Sequence, residues 1–183
     1  MKKERIATYL KQVQAVIAKL DSGLIYELAT LLHDCQKRQG TVFAFGNGGS
    51  GATASHFVGD FLKGVRFPNQ NRLKAICLND NIPGMMAVAN DMSYEDIFVE
   101  SLRNFAQKDD LVIGFSGSGN SENILRALRY ANHIQAHSVA ICGFDGGKAK
   151  SIAKTAIHVP INDMEIAEDS HLVLVHAMKK IFM

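Results

Sequence analysis

TVFAFGNGGSGATASHFVGDFLK, residues 41–63, passes from a short apolar run through a glycine turn into a helical pattern. Thr41 to Gly46 is aromatic and β-branched with no wet alternate positions, which is how a strand covered on both faces reads. Gly46, Gly48, Gly49 and Gly51 then reverse the chain, and the helix carries its apolar residues at helical spacing. Strand, glycine turn and helix in immediate succession is the half-unit of a parallel α/β sheet.

The same alternation continues outward. RLKAICLN (72–79), DLVIGFS (110–116), HSVAICG (137–143) and TAIHVP (155–160) read as four further strands. SYEDIFVESLRNFA (93–106), SENILRALRYAN (121–132) and a short GGKAKSIAK (146–154) read as helices between them. Upstream, Ile6, Leu10, Val13, Ile17 and Leu20 keep helical steps until Asp21, Ser22 and Gly23 interrupt them. Ser22 is then expected to cap a second helix with Leu24, Ile25, Leu28, Leu31 and Leu32 on one face. Residues 164–182 return to helix through Leu172, Val175, Met178 and Phe182. The expected fold class is α/β, a three-layer α/β/α arrangement around a five-stranded parallel sheet. It forms a single domain over 1–183, with residues 1–38 as an N-terminal helical extension.

A chain of 183 residues has room for one domain with a full core, and 47% hydrophobic with 21% charged residues is an ordinary globular mixture. A formal charge of +2 gives no basic surface for nucleic acid or an anionic membrane. The small groups Lys3, Lys37–Arg38, Lys63–Arg66 and Lys179–Lys180 read as solvated faces. Cys35, Cys77 and Cys142 form no CxxC pair, and the last two sit in apolar runs, as buried thiols do. MKKERIATYLKQVQ mixes charges into its apolar residues and so does not read as a signal peptide. No stretch reaches the roughly 18 apolar residues of a membrane span. The chain reads as cytoplasmic.

In open parallel sheets ligands bind beyond the carboxyl ends of the strands. Gly46-Asn47-Gly48-Gly49-Ser50-Gly51 follows the first strand and Ser116-Gly117-Ser118-Gly119-Asn120-Ser121 the third. Glycines admit close backbone approach, and the helix after each loop offers free N–H groups to an anion. Three hydroxyls, two glycines and a helix N-terminus within six residues suit a phosphate monoester. Gly46, Gly48 and Gly51 also fit G-x-G-x-x-G, so a dinucleotide site is the competing reading. Against it, the second strand ends at Asn79-Asp80, nearer thirty than twenty residues past the last glycine, and the serine loop would have no task. No Gly-Lys-Ser/Thr follows either cluster, which excludes a Walker loop. A lone glycine turn of this kind is often only structural. Among titratable residues, His56 and Asp60 share a helix face within two turns of the first loop. Glu168, His171 and His176 lie on the last helix. His33, His133, His137 and His158 have no such context and read as structural.

GNGGS followed by ASHF, the Asn-Asp of AVANDMSYEDIF, FSGSGNS, FDGGK and the closing Glu-x-x-His-x-x-x-x-His together resemble the sugar isomerase (SIS) domain family, most closely its phosphoheptose isomerase branch. The resemblance runs from the first helices almost to Met183. It implies a homotetramer with active sites between subunits, interconverting sedoheptulose 7-phosphate and D-glycero-D-manno-heptose 7-phosphate for ADP-heptose or related glycan precursors. It places Asn47, Gly48, Gly49, Ser50, Asn90, Asp91 and Glu168 at substrate, and Ser116, Gly117, Ser118 and Ser121 at the phosphate. It puts His56, Asp60, Glu168 and His176 at zinc, with Asp60, Glu168 and His176 as the catalytic groups and no nucleotide cofactor. The family usually has Glu at position 60 and Gln at 168. Some of its members are non-catalytic phosphosugar-binding regulators, including one associated with a replication initiator. Glu168 and His176 are eight residues apart, roughly 12 Å along a helix. Both can reach one metal only if Glu168 precedes the helix or if different chains supply them.

Overall fold

The computed structural model describes residues 3–64 and 72–183, so Arg66 lies outside the described residues. In chain order the elements are α1 (Lys3–Ile17), α2 (Ser22–Lys37), β1 (Thr41–Gly46), α3 (Gly48–Gly64), β2 (Lys74–Cys77) and α4 (Ile82–Asp91). A 3-10 turn (Tyr94–Asp96) leads to α5 (Val99–Phe105), β3 (Leu111–Ser116), α6 (Glu122–His133), β4 (His137–Cys142), α7 (Gly147–Ile152), β5 (Thr155–His158) and α8 (Met164–Lys180). The strands form one five-stranded sheet, parallel throughout, in the order β2-β1-β3-β4-β5.

Alternate strand residues face opposite layers. Val42, Ala44, Leu111, Ile113, Phe115, Val139 and Ile141 pack under α2, α3 and α8. Phe43, Phe45, Val112 and Ala140 pack under α5, α6 and α7. All six residues of β3 are buried, whereas edge strand β2 leaves Ile76 exposed. Of the two N-terminal helices, α2 buries Ile25, Leu28, Leu32 and Cys35 in the core, while α1 buries no residue. All three thiols are buried, and burial pushes each up to about 11.

Local chemistry differs from the sequence reading in three places. Asp21, not Ser22, caps α2: its carboxylate accepts from Gly23 N (2.7 Å) and Leu24 N (3.3 Å), a reach the shorter hydroxyl one residue later does not need to supply. The stretch IPGMMAVAND, not expected to be helical, is α4. Asn81 caps it through Gly84 N, and Pro83 sits in the first turn where its missing N–H costs nothing. The segment 93–106 is not one helix but a 3-10 turn followed by the short α5.

On α8, His171 is fully buried, and among the described residues neither ring nitrogen has a hydrogen-bond partner. Burial pushes its pKa down to about 4, with the Cys142 backbone the smaller, opposing influence. The unfolded chain protonates this ring near the ordinary 6.5 and the folded chain only near 4, so stability present above 6.5 is lost as pH falls toward 4. Between pH 7.5 and 5 this amounts to about 2 kcal/mol. Urea unfolding at the two pH values is expected to show that loss in the wild type and not in His171→Leu. Parallel pH profiles for the two proteins would contradict it.

Candidate functional site

The chain leaves β1 toward β2 on one side, and β3 lies on the other, so the order of connection reverses between β1 and β3. Crevices in such sheets form at this switch point. A cavity of about 240 Å³ lies there, lined by Asn47, Gly48, Gly49 and Ser50 after β1, by Phe115, Ser116, Gly117, Ser118 and Ser121 at the end of β3, and by Met164 and Glu168 of α8.

The glycine loop is shaped by packing. Asn79 closes on both backbone groups of Gly46, accepting from its N–H (3.1 Å) and donating to its carbonyl (2.8 Å). A Cβ on Gly46 would lie 2.6 Å from the Ser50 backbone, and one on Gly51 2.8 Å from the Gly46 carbonyl. These two glycines therefore let the loop fold back on its own helix. Asn47 and Asn123 exchange amide hydrogen bonds of 2.9 Å in both directions and tie the β1 loop to α6. The Tyr94 hydroxyl donates to Asn47 Oδ1 (3.1 Å), so the segment after α4 also meets this loop. Asn123 and Tyr94 were not singled out from the sequence; they sit beside motif residues but carry no spacing signal of their own.

In the serine loop, Ser116 Oγ accepts from Gly119 N (3.1 Å) and Ser118 Oγ from Asn120 N (3.2 Å). One lone pair of each hydroxyl is engaged by backbone, and these bonds do not use the hydroxyl proton. Ser121 is the N-cap residue of α6 and makes no side-chain cap bond. Gly119 holds φ +65°, and a Cβ there would lie 2.1 Å from the Gly146 carbonyl, so the Asp145-Gly146-Gly147 turn braces the loop from behind.

Glu168 enters the cavity over the first turn of α3, against Gly49. Burial is the main influence raising its carboxyl pKa, the Glu165 and Asp169 charges add to it, and the Ser50 backbone N–H pulls the other way. Two helical turns further along the same α3–α8 seam is a second group. His56 Nε2 and His176 Nε2 are 2.9 Å apart, and Asp60 Oδ2 is 3.5 Å from the first and 3.7 Å from the second. Lys179 Nζ donates to Asp60 Oδ1 at 2.6 Å, so Lys179 is paired and not part of a solvated face. For Asp60, burial acts upward, but the Lys179 hydrogen bond and charge, with His56 and His176, outweigh it and hold the carboxyl below its usual range.

Candidate ligand atoms of His56, Asp60 and His176 all lie within 4.8 Å of one another, and among the described residues Asp60 Oδ2 is buried without a hydrogen-bond partner. Two imidazole nitrogens and an orphaned carboxylate oxygen fit a divalent transition-metal cation with a position left open. Glu168 is not in this group. It lies within the continuous helix α8 together with His176, which removes the possibility that it precedes the helix. Asn90 and Asp91 end α4, bonded to each other (2.8 Å), and do not line the cavity. Of the remaining histidines, His137 bonds Thr155, and His158 lies between Lys150 and the Phe144 carbonyl.

Gly49 is the position where cavity shape and fold can be separated. An alanine Cβ would lie 2.2 Å from Glu168 Oε2, the end of a flexible side chain, and would displace the carboxylate. Gly49→Ala is expected to melt within a few degrees of wild type, since alanine favours a helix by about 0.5–1 kcal/mol. Its affinity for a sugar phosphate, read by thermal shift, is expected to fall about tenfold or more, roughly 1.4 kcal/mol. Unchanged affinity would show that Glu168 does not shape the binding cavity.

The SIS domain family profile matches residues 8–143. A phosphoheptose isomerase of Helicobacter pylori is 35% identical over 148 residues, which is 81% of this chain and 77% of its own. Solved phosphoheptose isomerase structures from Neisseria gonorrhoeae and Francisella tularensis each align with a TM-score of 0.91, at 27% and 26% identity. They cover 98% and 100% of this chain and 97% and 98% of their own. With the sheet order, the serine loop and the His–Asp–His group already in place, the conclusion is that this chain belongs to the SIS domain family, on its phosphoheptose isomerase branch.

Proposed function

We propose that this protein isomerises a ketose phosphate to an aldose phosphate, sedoheptulose 7-phosphate to D-glycero-D-manno-heptose 7-phosphate, supplying glycan precursors in the cytoplasm. The observation that carries this reading is the cavity between β1 and β3, with the hydroxyls of Ser116, Ser118 and Ser121 at one wall and the raised carboxyl of Glu168 at another. Ser116, Ser118, Ser121 and the free N–H groups of α6 hold the phosphate. Asn47 and the Gly48–Gly49 backbone meet the sugar hydroxyls, and Asn90 and Asp91, which do not line this chain's cavity, would contact substrate only across a subunit boundary. Isomerisation moves one proton from C1 to C2 and another between the two oxygens, so it needs a base and an acid that exchange protons near neutrality. A carboxyl raised by burial, as Glu168 is, suits that exchange, with His176 as its partner while no metal occupies its Nε2, and with Asp60, held below the usual carboxylate range, as the second carboxylate.

His56, Asp60 and His176 would hold zinc. When bound, the metal supplies Lewis-acid polarisation of the substrate oxygens. The dinucleotide reading loses support because Gly46 and Gly51 serve loop packing and the Asn79 side chain is consumed by Gly46. Purified protein is expected to turn over sedoheptulose 7-phosphate, and His176→Ala and Asp60→Asn to lose at least about a hundredfold in kcat, the usual range for an acid–base group. Absence of turnover on any six- or seven-carbon ketose phosphate, with or without zinc, would favour a phosphosugar-binding regulator.

The active site is proposed to be shared between subunits of a homotetramer. In one chain Asp60 and His176 are together, whereas the cavity lies about 10 Å away along the seam. The imidazole side of the cluster is also half exposed, at 47% for His56 and 49% for His176. What subunits would contribute separately is therefore the cavity and the cluster, not Asp60 and His176. Mixing inactive Ser118→Ala/Glu168→Ala subunits with inactive His176→Ala subunits is expected to restore about a quarter of wild-type activity after exchange, from sites that draw one intact half from each. No recovery in exchanged oligomers would place cavity and cluster in the same chain's site.

A further inference from the structure

Lys179 is the member of the His56–Asp60–His176 group for which the proposed chemistry has no task. It lies one turn beyond His176 on α8 and reaches across the seam to Asp60 on α3. Its ammonium takes Oδ1 at 2.6 Å, and the side chain is 21% exposed, so the contact is made against protein and not in open solvent. The other oxygen, Oδ2, is left buried and, among the described residues, without a hydrogen-bond partner, facing His56 Nε2 and His176 Nε2. An aspartate at this place is otherwise free to rotate about its last bond and present either oxygen, or both. With Oδ1 gripped, the carboxylate plane is set and a single oxygen points at the two imidazoles.

We propose that Lys179 is a positioning residue that holds Asp60 as a one-oxygen ligand, making a three-donor cation site from a short carboxylate. The proposal rests on the metal reading of His56, Asp60 and His176 given above and deepens it. Lys179 acts on the ligand and touches neither cation nor substrate.

The test compares wild type, Lys179→Met and Lys179→Arg as full-length metal-free proteins of matched melting temperature. Zinc affinity is measured by competition with a chromogenic chelator, and the visible spectrum of the cobalt(II)-loaded protein reports ligand geometry. Loss of a hydrogen-bonding partner behind a metal ligand typically costs 10–100-fold in affinity. Lys179→Met is expected to bind zinc weaker by that factor with an altered cobalt spectrum, and Lys179→Arg to recover most of both. Equal or tighter zinc binding by Lys179→Met overturns the proposal, since Lys179 would then be idle or a competitor of the cation. If the wild type binds neither metal, the metal reading fails on its own, and metal-free kinetics decide. A tenfold or greater fall in kcat at unchanged KM, rescued by arginine, keeps Lys179 as the positioner of Asp60. Unchanged kcat, or no turnover in the wild type either, removes the role.

Discussion

Helices α3 and α8 lie side by side and run in the same direction, and their contact sets the distances on which the rest of the molecule's chemistry depends. Gly49 faces Glu168 at the start of the seam, His56 faces His176 two turns on, and Asp60 faces Lys179 one turn further. Because both helices rise 1.5 Å per residue, the separation of the cavity from the His–Asp–His group is fixed by helix geometry and not by loop conformation. The apolar side of the same two helices, through Ala54, Phe57, Val58, Phe61, Leu174, Val175 and Met178, is anchored on the sheet. Rigid burial of one face therefore holds the reactive face in register.

Along this seam two carboxylates meet opposite environments. Glu168 is raised by burial and by the neighbouring Glu165 and Asp169 charges, whereas Asp60 is held down by Lys179 and the two imidazoles despite its burial. Environments of this kind make the two carboxyls unequal in how readily they hold a proton, Glu168 more so and Asp60 less.

The loops at the strand ends are held by side-chain amides and by glycines whose hydrogen has no room to become a methyl. Asn79, just past the end of β2, pairs with both backbone groups of Gly46, and the Asn47–Asn123 exchange links the first loop to the helix behind the second. Gly119 against Gly146 does the same for the serine loop. The Ser116 and Ser118 hydroxyls are likewise fixed by accepting from backbone N–H groups of their own loop.

The alternation of buried apolar runs with helical segments was sufficient in the sequence to determine the parallel sheet, since only covered strands can be apolar on both faces. It also determined which loops lie at the ligand edge, and the spacing of His56 and Asp60 put them on one helix face. Local signals failed where one residue's role depended on a distant neighbour. Helix α4 was hidden because its proline reads as a breaker until Asn81 is seen to cap it. Lys179 looked solvated because nothing within α8 says that Asp60 waits across the seam. Glu168 and His176, grouped by motif, are separated by the pitch of a continuous helix, and Glu168 belongs to the cavity instead. Periodicity records which face of an element is buried, whereas pairing between elements depends on how helices dock on the sheet, and that is decided only when the core packs.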